Sequence, residues 1–448
     1  MTAIASDQDT GQKKAPKIQI SVLSWLRENL FSTWYNVVFT VIGIYIVYAV
    51  ITALWDWGFV NAVWEAKDRR DCFNINKARG QPPGACWAGV TTWMTNFMYG
   101  RYPRTELWRI DLGGILLAIW MAPIWLPRVK GKIIIAFSVV FLYPFLAGYL
   151  FSGGERGVFM QVMVSAAIVM LTAIVVHSLI SLITGRTLPA LLVSALGLAA
   201  LSEKMQRNAL LALAALAFAL VFWWQSGWLV PEVNWVNWGG LFLTLVISGI
   251  GIAFALPGGI TLALGRRSKL PVVRVLSTGF IEIFRSVPLI TVLFMATTMF
   301  PLFLPEGFIL NKLVQVIVAV CLFNACYMAE TVRAGLQAIP KGQYEAAHAM
   351  GLGYWQMIGF VVMPQALKYM IPNIVGSFIG LLKDTTLVSI IGLFDFLSML
   401  RAVSQDVPWR GLHYEPIMFG AVVFFILCAS MSKYSRHLEI KLGGGANR

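Results

Sequence analysis

Four ionisable residues stand in or beside apolar runs long enough to cross a bilayer: Glu330 and Arg333 in one, Lys383 and Asp384 in another. An unpaired charge in such a run is costly, so these groups line a wet cavity or pair with one another. Glu330 and Asp384 offer acceptors for a cation. Lys383, with the hydroxyls of Thr385 and Thr386, offers donors for an anion, and Asn324 and Ser377 add neutral hydrogen-bonding groups on the same runs. A structural account competes at each position. Lys383 and Asp384 would then fix helix register, and Glu330 and Arg333, at helical spacing, would form an ion pair at a helix end. Catalysis and metal binding have less to stand on. His177, His348, His413 and His437 are isolated from one another, and no Ser/His/Asp or cysteine-nucleophile arrangement occurs. Gly259 to Gly265 followed by Arg266-Arg267-Ser268 imitates a phosphate loop, but the interval is one residue too long and arginine stands where lysine is needed.

The elements that must carry these residues are membrane helices. Only 12% of the 448 residues are charged and 58% are hydrophobic, against about 25% charged in a soluble domain. Many apolar runs have the length that spans a hydrocarbon core. The fold class is therefore all-α and polytopic, with about ten transmembrane helices; the short alternating segments of a β-barrel are absent. The net charge of +14 is spread over short loops, such as Lys13, Lys14 and Lys17, Arg128, Lys130 and Lys132, and Arg266, Arg267 and Lys269. That is positive-inside bias. These charges do not cluster with exposed aromatics, so no nucleic-acid partner is expected; the partner implied is membrane lipid.

Residues 1–33 read as a cytoplasmic tail with an interfacial helix from about residue 18. The run 34–55 is too long for a signal peptide and reads as an uncleaved first span. A polar loop, 56–106, separates it from spans at 107–126, 133–151, 158–183 and 208–225. The short run 188–201 is expected to be interfacial or re-entrant, because cytoplasmic termini at both ends leave room for one crossing there. Trp223, Trp224, Trp228, Trp235 and Trp238 read as an aromatic belt, and a boundary near 230 separates these accessory helices (34–230) from a core at 231–448. Core spans are expected at 239–264, 272–304 with a kink at Pro288, 313–333, 357–392 and 416–433, with no internal repeat. Cys72 and Cys86, in a loop placed outside the cytoplasm, form either a disulfide or two free thiols. Cys321, Cys326 and Cys428 lie in spans as packing residues.

Between two core spans runs Glu345-Ala346-Ala347-His348-Ala349-Met350-Gly351, with Pro364 thirteen residues after the glycine. This resembles the EAA loop of binding-protein-dependent ABC importer permeases, here over 338–356. Phe284-Arg285-Ser286-Val287-Pro288-Leu289, Ala329-Glu330-Thr331-Val332-Arg333-Ala334-Gly335, Pro364-Gln365-Ala366-Leu367-Lys368 and Lys383-Asp384-Thr385-Thr386-Leu387 resemble elements of the polar and general L-amino-acid subgroup, in detail its larger, M-type subunit. Ser286 and Ala334 replace that subgroup's glycines, and Val361 and Met363 its isoleucine and leucine. The likeness covers about 239–435.

The resemblance implies a five-helix type I permease core in the bacterial inner membrane, with both termini cytoplasmic. It implies three protein partners: an ATPase dimer that binds ATP and Mg, a second homologous permease subunit, and an extracytoplasmic amino-acid-binding protein. No cofactor is expected in this chain, and it would not itself be an enzyme. Glu345, Ala346, Ala347, Gly351 and Pro364 become the ATPase-coupling residues. A coupling helix must be short and small-sided, and the alanines are good helix formers. Glu345 is expected in the first turn, on the favourable end of the helix dipole, with Gly342 and Gly351 bracketing the helix. Asn324, Glu330, Ser377, Lys383, Asp384, Thr385 and Thr386 become candidates for the pathway of a zwitterionic amino acid, and Arg285 an anchor at the inner surface. Two other readings are an ion-coupled secondary transporter, which would show repeats and discontinuous helices, and a non-transporting scaffold.

Overall fold

The computed structural model describes residues 25–26, 29–154, 157–184, 187–196, 202–228, 230–305, 307 and 310–443. Residues 1–24, with the tail and part of the expected interfacial helix, lie outside the described residues. The chain divides into two compact units, 1–88 and 89–448.

In the first unit the helix Trp34–Trp55 runs into a π-helical turn, Asp56–Val60. None of Trp34–Trp55 is buried within the protein, as suits a helix apolar on every side whose solvent is lipid. Part of the expected loop is folded. Helix Arg69–Ala78 starts at Asp68, whose carboxylate accepts the Asp71 N–H at 2.7 Å. A Cys72–Cys86 disulfide, Cα atoms 5.9 Å apart, fastens it to the returning chain. Asn76 donates to the Asn61 carbonyl (2.9 Å) and the Trp87 indole to that of Gly58 (2.7 Å). The choice left open for these cysteines falls to the disulfide. Its closed loop has a sequence separation of 14, and chain-entropy arguments give about 3 kcal/mol for such a loop. Cys72→Ser with Cys86→Ser should therefore open 61–86 to limited proteolysis at least tenfold faster. Reductant should reproduce the effect in the wild type and add nothing in the variant.

The second unit holds the remaining spans. Among the described residues nine helices are long and apolar enough to cross, or ten if a bent pair counts as one. Five precede residue 230 and five follow, counting that pair. Helix Leu188–Ala195 has only eight residues, about 12 Å of rise, too short to cross; 197–201 lie outside the described residues. Gln225, fully buried, donates to the Gln161 carbonyl (2.7 Å) and to the Ser165 hydroxyl, tying helix Glu203–Ser226 to Val158–Thr184. One tryptophan departs from the expected belt. Trp238 is buried against Phe151 and Phe242, because the chain turns inward there to begin the core. Packing continues through the boundary at 230: one apolar cluster runs from Tyr102 to Leu393, and the buried Arg109 joins Glu106 (2.8 Å) to the Pro231 carbonyl (2.8 Å).

In the core, helix Gly240–Arg266 lies along Lys312–Gln337. A Cβ on Gly259 would run into Met328, so the glycine permits the close backbone approach typical of membrane helices. The span expected over 272–304 is two helices, Pro271–Ser286 and Leu289–Phe303, meeting at 107°. The expected kink is a right-angled break: Val287 and Pro288 are both extended, since proline disfavours helical geometry in the residue before it.

Candidate functional site

Helix Lys341–Ala349 projects between Lys312–Gln337 and the long rod Tyr354–Ile391. Ala347 is buried with Ile339, Met357, Val362 and Ala366, while Glu345, Ala346, His348 and Ala349 are exposed and Met350 is 80% exposed. One alanine thus anchors the helix, leaving Ala346 and Ala349 uncovered beside Glu345 and His348. Tyr344 fixes its angle: its hydroxyl donates to the Leu336 carbonyl (3.1 Å) and accepts from Arg267 (3.4 Å). Gln365 donates to Gln343 (3.0 Å).

The helix begins at Lys341, earlier than expected, because Pro340 is a natural boundary before it. Glu345 therefore sits in the second turn, not the first, and Gly342 is inside the helix. The other bracket holds. Gly351 has φ +73°, its N–H bonds to the His348 carbonyl (2.9 Å), and the Leu352 N–H reaches back to Ala347 (3.2 Å). This paired closure uses a left-handed residue to satisfy the last carbonyls of a helix. Pro364 lies in the first turn of helix Met363–Asp384, directly after a π-helical stretch, Met357–Val362.

Behind this loop the two oxygens of Glu330 are taken by arginines from three helices. Arg266 approaches at 2.6 Å, Arg333 at 2.7 Å and Arg285 at 3.7 Å, and Arg266 also meets Glu282 at 3.0 Å. The sequence reading anticipated the Arg333 pair but not Arg266 or Glu282. Positive-inside bias accounts for the position of Arg266 but not for its two carboxylate partners. A usable signal existed: Glu282 is the one acid on Pro271–Ser286.

The remaining candidates divide between two helices. Asn324 is buried and donates to the Val320 carbonyl (2.9 Å), and Ser377 to that of Asn373 (2.9 Å). Thr385 and Thr386 donate to the carbonyls of Leu382 (2.7 Å) and Lys383 (2.8 Å) where the rod tightens into a 3₁₀ helix. Their oxygens keep acceptor capacity. Lys383 is exposed and Asp384 half-buried, and among the described residues no ion pair joins them. Among those residues no group of three or more His, Cys, Asp or Glu could hold a metal.

The family model described as binding-protein-dependent transport system inner membrane component matches residues 255–442. Inner membrane amino-acid ABC transporter permease protein YhdY of Escherichia coli (strain K12) is 39% identical over 424 residues, covering 94% of this chain and 93% of the relative. This chain belongs to that permease family. A second full-length relative of the permease is the glutamate/glutamine/aspartate/asparagine transport system permease protein BztC of Rhodobacter capsulatus, 39% identical and 98% covered on both sides. A shorter one, probable glutamine ABC transporter permease protein GlnP of Bacillus subtilis, is 36% identical; the match covers 46% of this permease and 92% of the relative. The likeness to YhdY and BztC thus runs over nearly the whole permease, and that to GlnP over about half of it. The EAA loop, the arginine clasp and the candidate pathway residues all lie within 255–442.

Proposed function

We propose that the permease carries L-amino acids inward, receiving them from an extracytoplasmic binding protein and driven by a separate ATPase dimer that binds ATP and Mg. The observation that carries this reading is the uncovered face of helix Lys341–Ala349, with Ala346 and Ala349 exposed beside Glu345, held by Ala347 and closed by Gly351. Glu345, Ala346 and Ala349 meet the ATPase groove, and Pro364, in the first turn of helix Met363–Asp384, lies in the rod that receives the motion. The helix and both termini are cytoplasmic. The Cys72–Cys86 disulfide supports this, since such a bond persists outside the cytoplasm, one crossing from the N-terminus. A second, homologous permease subunit completes the pathway, and ATP shifts the pair between two global states by binding them unequally.

Relatives named for amino acids, including acidic and amide ones, support that substrate class. Asn324, Ser377, Lys383, Asp384, Thr385 and Thr386 supply the polar groups of the pathway. Glu330, fully engaged by arginines, is better read as a clasp than a substrate contact. The test is uptake in proteoliposomes containing the ATPase, both permeases and the binding protein: it should require ATP and persist when ion gradients are collapsed. Within it, Asp384→Asn should raise the apparent KM for substrate about tenfold, the cost of a charged hydrogen bond. An unchanged KM and substrate profile would return Asp384 to a structural role.

A further inference from the structure

A cavity of about 280 Å³ lies between helices Met363–Asp384 and Tyr414–Gly443, lined by none of the coupling-loop or candidate pathway residues. One wall is apolar, from Pro372, Val375 and Ile379; the other carries Ser432, Arg436 and Glu439. Arg436 and Glu439 are three apart on one helix, the spacing at which opposite charges ordinarily meet. Among the described residues they form no ion pair. Instead the buried Ser435 donates to one oxygen of Glu439 at 3.0 Å. A cation and an anion are thus kept apart along the same cavity wall.

The depth of the cavity is marked independently. Tyr434, one residue before Ser435, accepts a hydrogen bond from the Trp125 indole (3.4 Å), and both rings are largely exposed. Arg128, Lys130 and Lys132 follow Trp125 in the chain. An exposed tryptophan–tyrosine pair with basic residues just beyond it marks the headgroup level of a bilayer. The volume is about nine times the ~30 Å³ share of one liquid water, enough for a small headgroup.

We infer that this cavity binds a zwitterion with a primary ammonium and an anionic group, supplied by the bilayer as the headgroup of phosphatidylethanolamine. The phosphate meets Arg436 and Ser432, the ammonium donates to Glu439, and the glycerol end lies along Val375 and Ile379. A quaternary ammonium cannot donate to Glu439, and phosphatidylglycerol has no cation to offer it, so the site discriminates among common headgroups. The inference is independent of what the permease transports.

The test uses the full chain, purified, delipidated and titrated with phosphatidylethanolamine, phosphatidylcholine or phosphatidylglycerol, with bound lipid read by native mass spectrometry. Phosphatidylethanolamine should bind about tenfold more tightly than either. Arg436→Gln with Glu439→Gln should bring the three near parity. So should Gly376→Leu, which leaves both charges but fills the cavity from the opposite wall, where a Cβ meets open space. Unchanged thermal unfolding in detergent shows that a variant has folded. Parity in the wild type, preference for phosphatidylglycerol, or selectivity surviving in a folded variant overturns the site. Soluble phosphoethanolamine competing as well as the whole lipid overturns the bilayer as its source.

Discussion

Replacing Gly351 with valine should cut ATP-driven uptake at least tenfold and ATPase association with it, while leaving membrane insertion unchanged. Space is not the reason, since a Cβ at this position meets nothing within 4 Å. The backbone is: φ is +73°, which costs an L-residue roughly 1–2 kcal/mol and a β-branched one more. A valine relaxes by leaving the left-handed region, and the bonds from Gly351 to His348 and from Leu352 to Ala347 go with it. Ala347 then loses the closure that seats it, and the exposed face of the helix turns away from its partner. Asparagine tolerates this conformation far better, so Gly351→Asn should keep most of the transport that valine abolishes. Equal damage from both would show that the partner packs against this position and that volume decides. Normal uptake in the valine variant would remove the loop from the coupling path.

What could be read in the sequence follows from the range of the forces involved. The spans were legible because each is fixed by its own composition; a bilayer selects for a continuous apolar run whatever it packs against. The loop ending at Gly351 was legible by its resemblance to the EAA loop; its glycine closure is a local matter of φ, but its start at Lys341 was misplaced. Pro288 announced a disruption, but 107° depends on what the two halves pack against, which local spacing does not encode. The same holds for Arg266, whose carboxylate partner Glu330 is 64 positions away. Charge counting saw only a basic residue at a span end. The two cysteines could not be paired from spacing, and the helix that carries Cys72, Arg69–Ala78, is mostly polar and carried no apolar run to reveal it. Among the candidate pathway residues sequence supplied chemistry and helix, but not that no ion pair joins Lys383 to Asp384.

Glu330→Gln decides between the two roles open to that carboxylate. As a clasp it holds arginines from three helices, and the group of Arg266, Arg285, Arg333, Glu282 and Glu330 carries three positive and two negative charges, net +1. Glutamine raises this to +2 and removes the carboxylate that the three arginines share, leaving Glu282 on Arg266. Breaking a fully buried pair costs about 3–5 kcal/mol; these arginines are 28–35% exposed and partly screened, so about 2–3 kcal/mol is expected in unfolding measurements. Added salt should recover part of the loss by screening the like charges. Removing Arg333 as well, in Glu330→Gln with Arg333→Gln, restores the net charge to +1. The double variant should then be less destabilised than the sum of the singles, a coupling of contacting residues that a double-mutant cycle reads directly. The substrate profile and KM of folded Glu330→Gln should match the wild type. If Glu330 instead touches the solute, the pattern inverts: stability barely moves and preference among acidic, neutral and basic amino acids changes.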